Sequence, residues 1–153
     1  MSPATETEFS PRLQVRRAGI GDAARLAGLL RDRQGEPFSS SQLSDCIEHG
    51  GALYFEDEHG PVSVLAWQES PAGWELLPAG LREDQDDDGY ERWLLTQVEA
   101  LAIRLNVPRL CLQLDDDADL NWYRRMGYQP ESARSRRLTR KVGGTWQYRQ
   151  AAA

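Results

Sequence analysis

The sequence predicts a single α/β domain with a mixed, largely antiparallel sheet and helices on both faces. The chain has 153 residues, which is enough for one domain with its own core. Apolar periodicity gives the element order β-α-α-β-β-β-α-β-α-β, in which a run of strands precedes one β-α-β unit. We place a polar N-terminal arm at residues 1–11, the domain at 12–149 and a short tail at 150–153.

The first third of the chain contains one predicted strand and two predicted helices. Residues 13–18 (LQVRRA) form a short strand, and a glycine turn follows it. Asp22 is placed to cap a helix over 22–33, whose apolar residues fall on one face. A second helix is predicted over 40–49, and the glycine pair that begins at Gly50 ends it.

Three strands are predicted in the middle of the chain. Residues 52–57 and 61–68 are strand-like and are separated by Glu-His-Gly at 58–60, which indicates a hairpin. Residues 74–81 form a third strand. Pro78 lies inside it and cannot donate a ladder hydrogen bond, so we expect a bulge or an edge there.

The last third alternates helices and strands. A continuous apolar stripe predicts a helix over 89–106, and alternating leucines predict a strand over 109–114. A helix of about 118–126 follows and is stopped by Gly127. Residues 136–142 have weaker strand character.

Composition excludes several classes of protein. The formal net charge of -6 disfavours general nucleic-acid binding, because phosphate would be repelled. Cys46 and Cys111 are too few for a disulfide framework. We see no signal peptide and no apolar run of membrane-spanning length, so we expect a cytoplasmic protein with no membrane or nucleic-acid partner. A homodimer is possible, with Trp146 as the best interface candidate.

One segment is specific enough to suggest a family. Residues 121–128 (NWYRRMGY) contain an aromatic residue and a tyrosine, three further residues, a glycine and another aromatic residue. With the element order and the opening VRRAGIGDAARLAGLL, this segment resembles the GNAT superfamily of acyl-CoA N-acyltransferases over residues 13–142. The resemblance implies a GNAT-like fold and transfer of an acetyl or other acyl group from acyl-CoA to an amine of a small molecule or peptide.

The resemblance also implies roles for individual residues. Tyr123 matches a tyrosine that protonates the departing thiolate, and Glu75 matches a carboxylate that deprotonates the acceptor amine. Acetyl-CoA contacts are implied at Leu81, Gly89 and Tyr90. Simpler interpretations stay open: Tyr123 can be a core aromatic, and Glu75 can face solvent or pair with an arginine.

The family's pyrophosphate loop is degenerate in this chain. Its pattern is Arg/Gln-x-x-Gly-x-Gly/Ala, and backbone N–H groups at a helix start hold the phosphates. Here the three positions are Asp86, Gly89 and Glu91, so only the middle glycine matches. Asp116 and Asp119 replace two further family residues on the next helix. Because carboxylates repel phosphate, the sequence predicts that acyl-CoA binding is weakened or lost.

The acidic stretch has three interpretations. Asp84, Asp86 and Asp88 fit the first half of a calcium loop, but Leu95 stands where the last ligand should be. Alternatively, Asp88 and Glu91 form a capping box that satisfies the N–H groups of the helix start. The third possibility is an acidic cleft for a cation, which would make the chain a non-catalytic GNAT-fold binding or regulatory protein. Its ligand would be a metal, a polyamine or a basic peptide.

Overall fold

The computed structural model describes residues 14–32, 35–82, 89–114 and 118–142. These residues form one sheet with α-helices packed on it. The strands are β1 Gln14–Arg17, β2 Gly50–Asp57, β3 Gly60–Ser70, β4 Gly73–Leu76, β5 Gly80–Leu81, β6 Arg109–Gln113, β7 Gln129–Pro130 and β8 Arg137–Lys141. The α-helices are α1 Ala23–Leu26, α2 Ser40–Glu48, α3 Tyr90–Arg104 and α4 Leu120–Arg125. None of the helices in these ranges is long and apolar enough to cross a membrane.

The sheet is mixed and largely antiparallel, which confirms the predicted fold class. Its strand order is β1-β2-β3-β4-β6-β8-β7, with β5 pairing with β3 beyond the end of β4. Among the described strands, β4 and β6 are the parallel pair, and their register runs from Trp74 opposite Leu110 to Leu76 opposite Leu112. The crossover from β4 to β6 passes through α3, as the single β-α-β unit in the sequence predicted.

Pro78 divides the predicted strand 74–81 into two pieces. The Leu77 N–H still donates to the Ala66 carbonyl at 2.9 Å, but Pro78 has no N–H to continue the ladder. Pairing with β3 resumes where Gly80 lies opposite Val64. Gly80 is required there, because any side chain would overlap the carbonyl oxygen of Leu29. The chain therefore stays with β3 while β6 continues past the end of β4, and a gap opens between them.

Each face of the sheet has its own apolar core. The core beneath α3 and α4 contains two aromatic stacks, with ring centroids 3.9 Å apart for Phe55 and Trp93 and 4.6 Å apart for Trp67 and Trp74. On the other face, α1 and α2 pack against β2 and β3 through residues such as Leu43. The predicted arrangement of helices on both faces is therefore confirmed.

A buried carboxylate fixes α3 to the end of the chain. The Glu99 side chain lies in α3, and the residue is 8% exposed. One oxygen accepts the Tyr128 hydroxyl at 3.0 Å, and the other lies 2.6 Å from a guanidinium nitrogen of Arg140. Burial, followed by the negative charge of Glu99, raises the pKa of Tyr128. Because Tyr128 follows α4 directly, this triad also sets the position of α4 relative to α3.

The first helix is shorter than its apolar periodicity predicted. The α-helical turn is flanked by 3-10 turns at Ile20–Asp22 and Ala27–Leu29, and Leu30 is already extended. Asp22 is the N-cap residue of α1, but its side chain makes no capping hydrogen bond to the helix. Its carboxylate instead accepts the N–H of Gly19, which lies before the turn, at 2.8 Å. The prediction of a helix over 22–33 was wrong at its C-terminal end, because Arg31 pairs with Pro37 in an isolated β-bridge.

Candidate functional site

The gap between β4 and β6 contains a cavity of about 100 Å³. Its walls are mainly apolar and include Leu76 from β4, Leu112 from β6 and Leu95 from α3. Glu91 and Tyr123 also line it and bring a carboxylate and a hydroxyl to its edge. The site is thus an apolar cleft with polar groups contributed by α3, by α4 and by Gln113 of β6.

Tyr123 is aimed at this cleft by the way α4 begins and ends. At the start, the Asp119 carboxylate accepts the N–H groups of Asn121 and Trp122, at 3.0 and 3.3 Å. At the end, Gly127 adopts a φ of +99°. The Tyr123 ring then contacts that of Tyr128 edge to face, with centroids 6.4 Å apart. Tyr123 therefore packs against the core and also lines the cavity.

Glu91 reaches across the cleft to Tyr123. The Tyr123 hydroxyl donates a hydrogen bond of 2.7 Å to Oε2 of Glu91. The sequence offered no signal for this contact, since the two residues are 32 positions apart. A carboxylate in the first turn of a helix is also stabilised by the helix dipole. The cleft therefore has a negative group at the N-terminal end of α3.

The predicted capping box at this helix start was wrong. The N-cap residue is Gly89, with a φ of +88°, and α3 begins at Tyr90. Glu91 is therefore the second residue of the helix, and its carboxylate accepts the Tyr123 hydroxyl. Asp88, the other member of the predicted pair, lies outside the described residues.

Glu75, the predicted base, lies in an ion pair. Its two carboxylate oxygens are held by the two terminal nitrogens of Arg137, with Nη1 2.9 Å from Oε2 and Nη2 in contact with Oε1. Arg137 also donates from Nε to Glu131 at 3.0 Å, and the hydrogen bonds to Glu75 are the main cause of the raised pKa of Arg137. Glu75 does not line the cavity described above. The structure therefore does not bring Glu75 and Tyr123 together in one cavity.

The three predicted acetyl-CoA contacts fall in two places. Gly89 and Tyr90 form the start of α3, where the Tyr90 ring lies 6.0 Å from that of Phe55. Leu81 lies in β5 opposite Ser63 and borders a separate open groove next to α1. Gly89 and Tyr90 are thus at the Glu91 end of the cleft, while Leu81 faces a different groove.

Comparisons with solved protein structures identify the fold. No family model and no curated protein matches the sequence. Solved structures do: an IAA acetyltransferase from Bacillus cereus ATCC 14579 has a TM-score of 0.68 at 15% identity, covering 85% of this chain and 99% of that one. The ribosomal-protein-S18-alanine N-acetyltransferase of Escherichia coli has a TM-score of 0.67 at 12% identity, covering 87% and 96%. A GNAT family N-acetyltransferase of Escherichia coli, solved in complex with CoA, has a TM-score of 0.65 at 13% identity, covering 86% and 82%.

The chain has the GNAT fold. The expectation drawn from residues 121–128 and from the element order is thereby confirmed at the level of the fold. At these identities the comparison shows architecture and not activity, so the chemistry depends on the residues of the cleft.

The predicted metal ligands of this GNAT-fold chain are not among the described residues. Asp84, Asp86 and Asp88 all lie in the segment 83–88, outside the described residues. Among the described residues, one cluster of carboxylate and imidazole groups has its ligand atoms close enough together to hold a metal ion. It consists of Asp45, Glu48 and His49, all exposed near the end of α2. Exposed groups at helical spacing of this kind are common without an ion, and we attach no function to them.

Arg82, the residue before the segment 83–88, anchors the chain end that follows β5. Its guanidinium bonds to both oxygens of Asp57, at 3.1 and 2.9 Å, and the N–H of His59 donates to the same carboxylate at 2.8 Å. The bonds from Arg82 are the main reason why the pKa of Asp57 falls from 3.8 to about 2. This pair fixes the end of β5 to the β2–β3 hairpin.

The Asp57 contact predicts how stability depends on pH. Because its pKa is lower in the folded chain, Asp57 contributes stability above about pH 4 that is lost as pH falls through about 2. We expect Asp57→Asn to lower the melting temperature at pH 6, and the two melting curves to converge near pH 2. Asp45→Asn, on an exposed helix turn, is the control and should retain the full acid dependence. Parallel curves for wild type and Asp57→Asn from pH 6 to pH 2 would contradict this role.

Proposed function

We propose that the chain transfers an acyl group from a thioester to an amine in the cleft between β4 and β6, and that it binds acyl-CoA weakly. The observation that supports this most is the position of the Tyr123 hydroxyl. It lies at the edge of an apolar cavity that opens where the parallel strands separate. A small apolar cleft with one proton donor suits an acyl thioester, because the chain excludes water and supplies a proton to the leaving group.

The proposed reaction uses Tyr123 as the general acid. The amine nitrogen attacks the thioester carbonyl, the C–N bond forms, and the C–S bond breaks with its electron pair on sulfur. Tyr123 donates its phenolic proton to that sulfur, and the resulting phenolate takes up the proton lost by the amine nitrogen. The hydroxyl must turn from Glu91 toward the sulfur for this step, so the Glu91 contact describes the cleft before the donor enters.

A base role for Glu75 requires a rearrangement. Arg137 occupies both of its oxygens, so the carboxylate can accept a proton from an amine only after this ion pair opens. We propose instead that Glu75 mainly holds Arg137 against β4, and that the acceptor amine enters in its neutral form.

Weak binding of acyl-CoA follows from charge. The N-terminal end of α3 would attract phosphate, but it already holds the Glu91 carboxylate, and the sequence adds acids at 86–88. Two like charges about 4 Å apart repel by about 4 kcal/mol at an effective dielectric constant near 20. The repulsion offsets much of what helix N–H groups contribute to phosphate binding.

Amine-dependent release of thiol tests the proposal. The purified chain is incubated with acetyl-CoA or a simpler acetyl thioester and with a panel of amino acids, polyamines and lysine peptides. We expect free thiol and N-acetylated product in equal amounts, with acetyl-CoA saturating only at high concentration. Absence of product with every thioester, together with absence of thioester binding by calorimetry, would contradict the proposal.

A further inference from the structure

A second cavity lies at the end of the sheet opposite the cleft. It is an open groove of about 240 Å³ where β4 and β6 begin, whereas the cleft lies where these two strands separate. We propose that the C-terminal segment 143–149 (GGTWQYR) of the same chain docks in this groove, with the Trp146 side chain against Leu105. The segment lies outside the described residues, and the proposal does not depend on acyl transfer.

The groove has a buried apolar floor and an exposed apolar wall. Trp74 and Val107 belong to the core beneath it and are 3% and 8% exposed, whereas Leu105, the residue at which α3 ends, is 49% exposed. An aromatic side chain placed here removes apolar surface from water on both partners. Pockets that hold drug-sized ligands measure about 300–1,000 Å³, so this smaller groove suits a single large side chain.

The described part of the chain ends beside this groove. The N–H of Val142, the last described residue, donates to the carbonyl oxygen of Pro108 at 3.1 Å, and Pro108 lines the groove. Trp146 is four residues further along, so it lies at most about 14 Å from Val142. Gly143 and Gly144 have no side chains and allow the chain to turn directly after β8. The segment therefore reaches the groove while β8 stays in the sheet.

The charge at the groove also matches the segment. Glu69 lines the groove, and its carboxylate makes no ion pair with any other described residue. The segment 143–149 has one charged residue, Arg149, three positions after Trp146. An exposed ion pair adds little affinity but fixes orientation. The Trp146 ring therefore supplies most of the binding, and Arg149 sets the direction of the segment along the groove.

Fluorine NMR of the full chain labelled with fluorotryptophan tests where Trp146 lies. Trp146→Phe identifies the resonance of this residue, and the synthetic peptide 143–153 gives its position in water. We expect the wild-type resonance to be displaced from the peptide position and Leu105→Gln to return it there. Ile103→Gln is the matched control, because Ile103 is 53% exposed near the same end of α3 but does not line the groove. This control should leave the resonance displaced.

A wild-type resonance at the peptide position would overturn the proposal, as would equal shifts in the two glutamine variants. Sedimentation velocity on the same samples identifies the occupant. A monomer whose displaced resonance depends on Leu105 supports docking of the segment on its own chain. A wild-type dimer that Leu105→Gln converts to monomers would show that a second copy fills the groove, and the proposal would be wrong. None of these outcomes depends on thiol release, so this inference and the proposed acyl transfer can fail separately.

Discussion

Replacing Tyr123 with phenylalanine is expected to lower kcat for thioester transfer by about 100-fold or more, since a positioned general acid contributes roughly 10²- to 10⁴-fold. The change removes the one hydroxyl that links α4 to Glu91 and leaves the ring in place against Tyr128. KM for the donor should change much less, because the lost interaction belongs to the transition state. Steady-state thiol release with an acetyl thioester gives both values.

The matched control is Tyr54→Phe. The Tyr54 hydroxyl is bonded to Arg25 at 2.7 Å in the core on the opposite face of the sheet. This variant loses a hydroxyl of the same kind, away from the cleft, and should retain kcat. If Tyr123→Phe keeps more than about half of the wild-type kcat, Tyr123 is a packing residue and not the acid. If both variants lose activity together, the loss reflects stability.

Replacing Glu99 with alanine is expected to destabilise the fold by about 2 kcal/mol, because it removes one partner of a partly buried ion pair and the acceptor of a buried hydroxyl. The substitution leaves the Arg140 guanidinium without its carboxylate and the buried Tyr128 hydroxyl without its acceptor. It also loosens the connection that sets α4 relative to α3. Denaturant unfolding monitored by tryptophan fluorescence measures the change in free energy.

A double-mutant cycle separates the ion pair from simple loss of packing. The cycle uses Glu99→Leu alone, Arg140→Met alone and the two combined, and the combined variant replaces both charges with apolar groups. We expect the double variant to be more stable than the sum of the two single changes predicts, by about 1 kcal/mol or more. Additive single effects would show that Glu99 and Arg140 do not stabilise each other in the fold.

Glu99 and Tyr123 are connected through α4. Tyr128 follows the helix that carries Tyr123, and Glu99 holds Tyr128 through its hydroxyl. A loss at Glu99 should therefore reduce activity as well as stability, while a loss at Tyr123 should reduce activity with little change in stability. This asymmetry allows catalytic and structural effects to be distinguished in one set of variants.

Most of the secondary structure was predictable because each element has its own local signal. Alternating leucines predicted the strand at 109–114, and Gly127 predicted where α4 ends. The proline at 78 predicted a bulge or an edge, and the structure has an interruption between two strand segments there. The short strand β7 was missed, since two residues are too few for any periodicity to show.

The candidate site was only partly predictable. Tyr123 was identified through a family resemblance, and the structure places it at the edge of a cavity. Glu75 was identified in the same way, yet its carboxylate lies in an ion pair with Arg137, a residue 62 positions away. Neither this partner nor the contact between Glu91 and Tyr123 has any signature in the local sequence.

The sequence by itself determined the order of the elements, the class of the sheet and the presence of acidic residues around the start of α3. It could do so because periodicity, turn residues and charge are properties of neighbouring residues. Only the tertiary structure decided which distant residues meet: β8 lies beside β6, α4 packs beneath the sheet, and the cleft opens where β4 ends. Those contacts depend on strand order and helix packing, which join residues far apart in the chain. They place Glu91, in the first turn of α3, in the wall of the candidate acyl-transfer site.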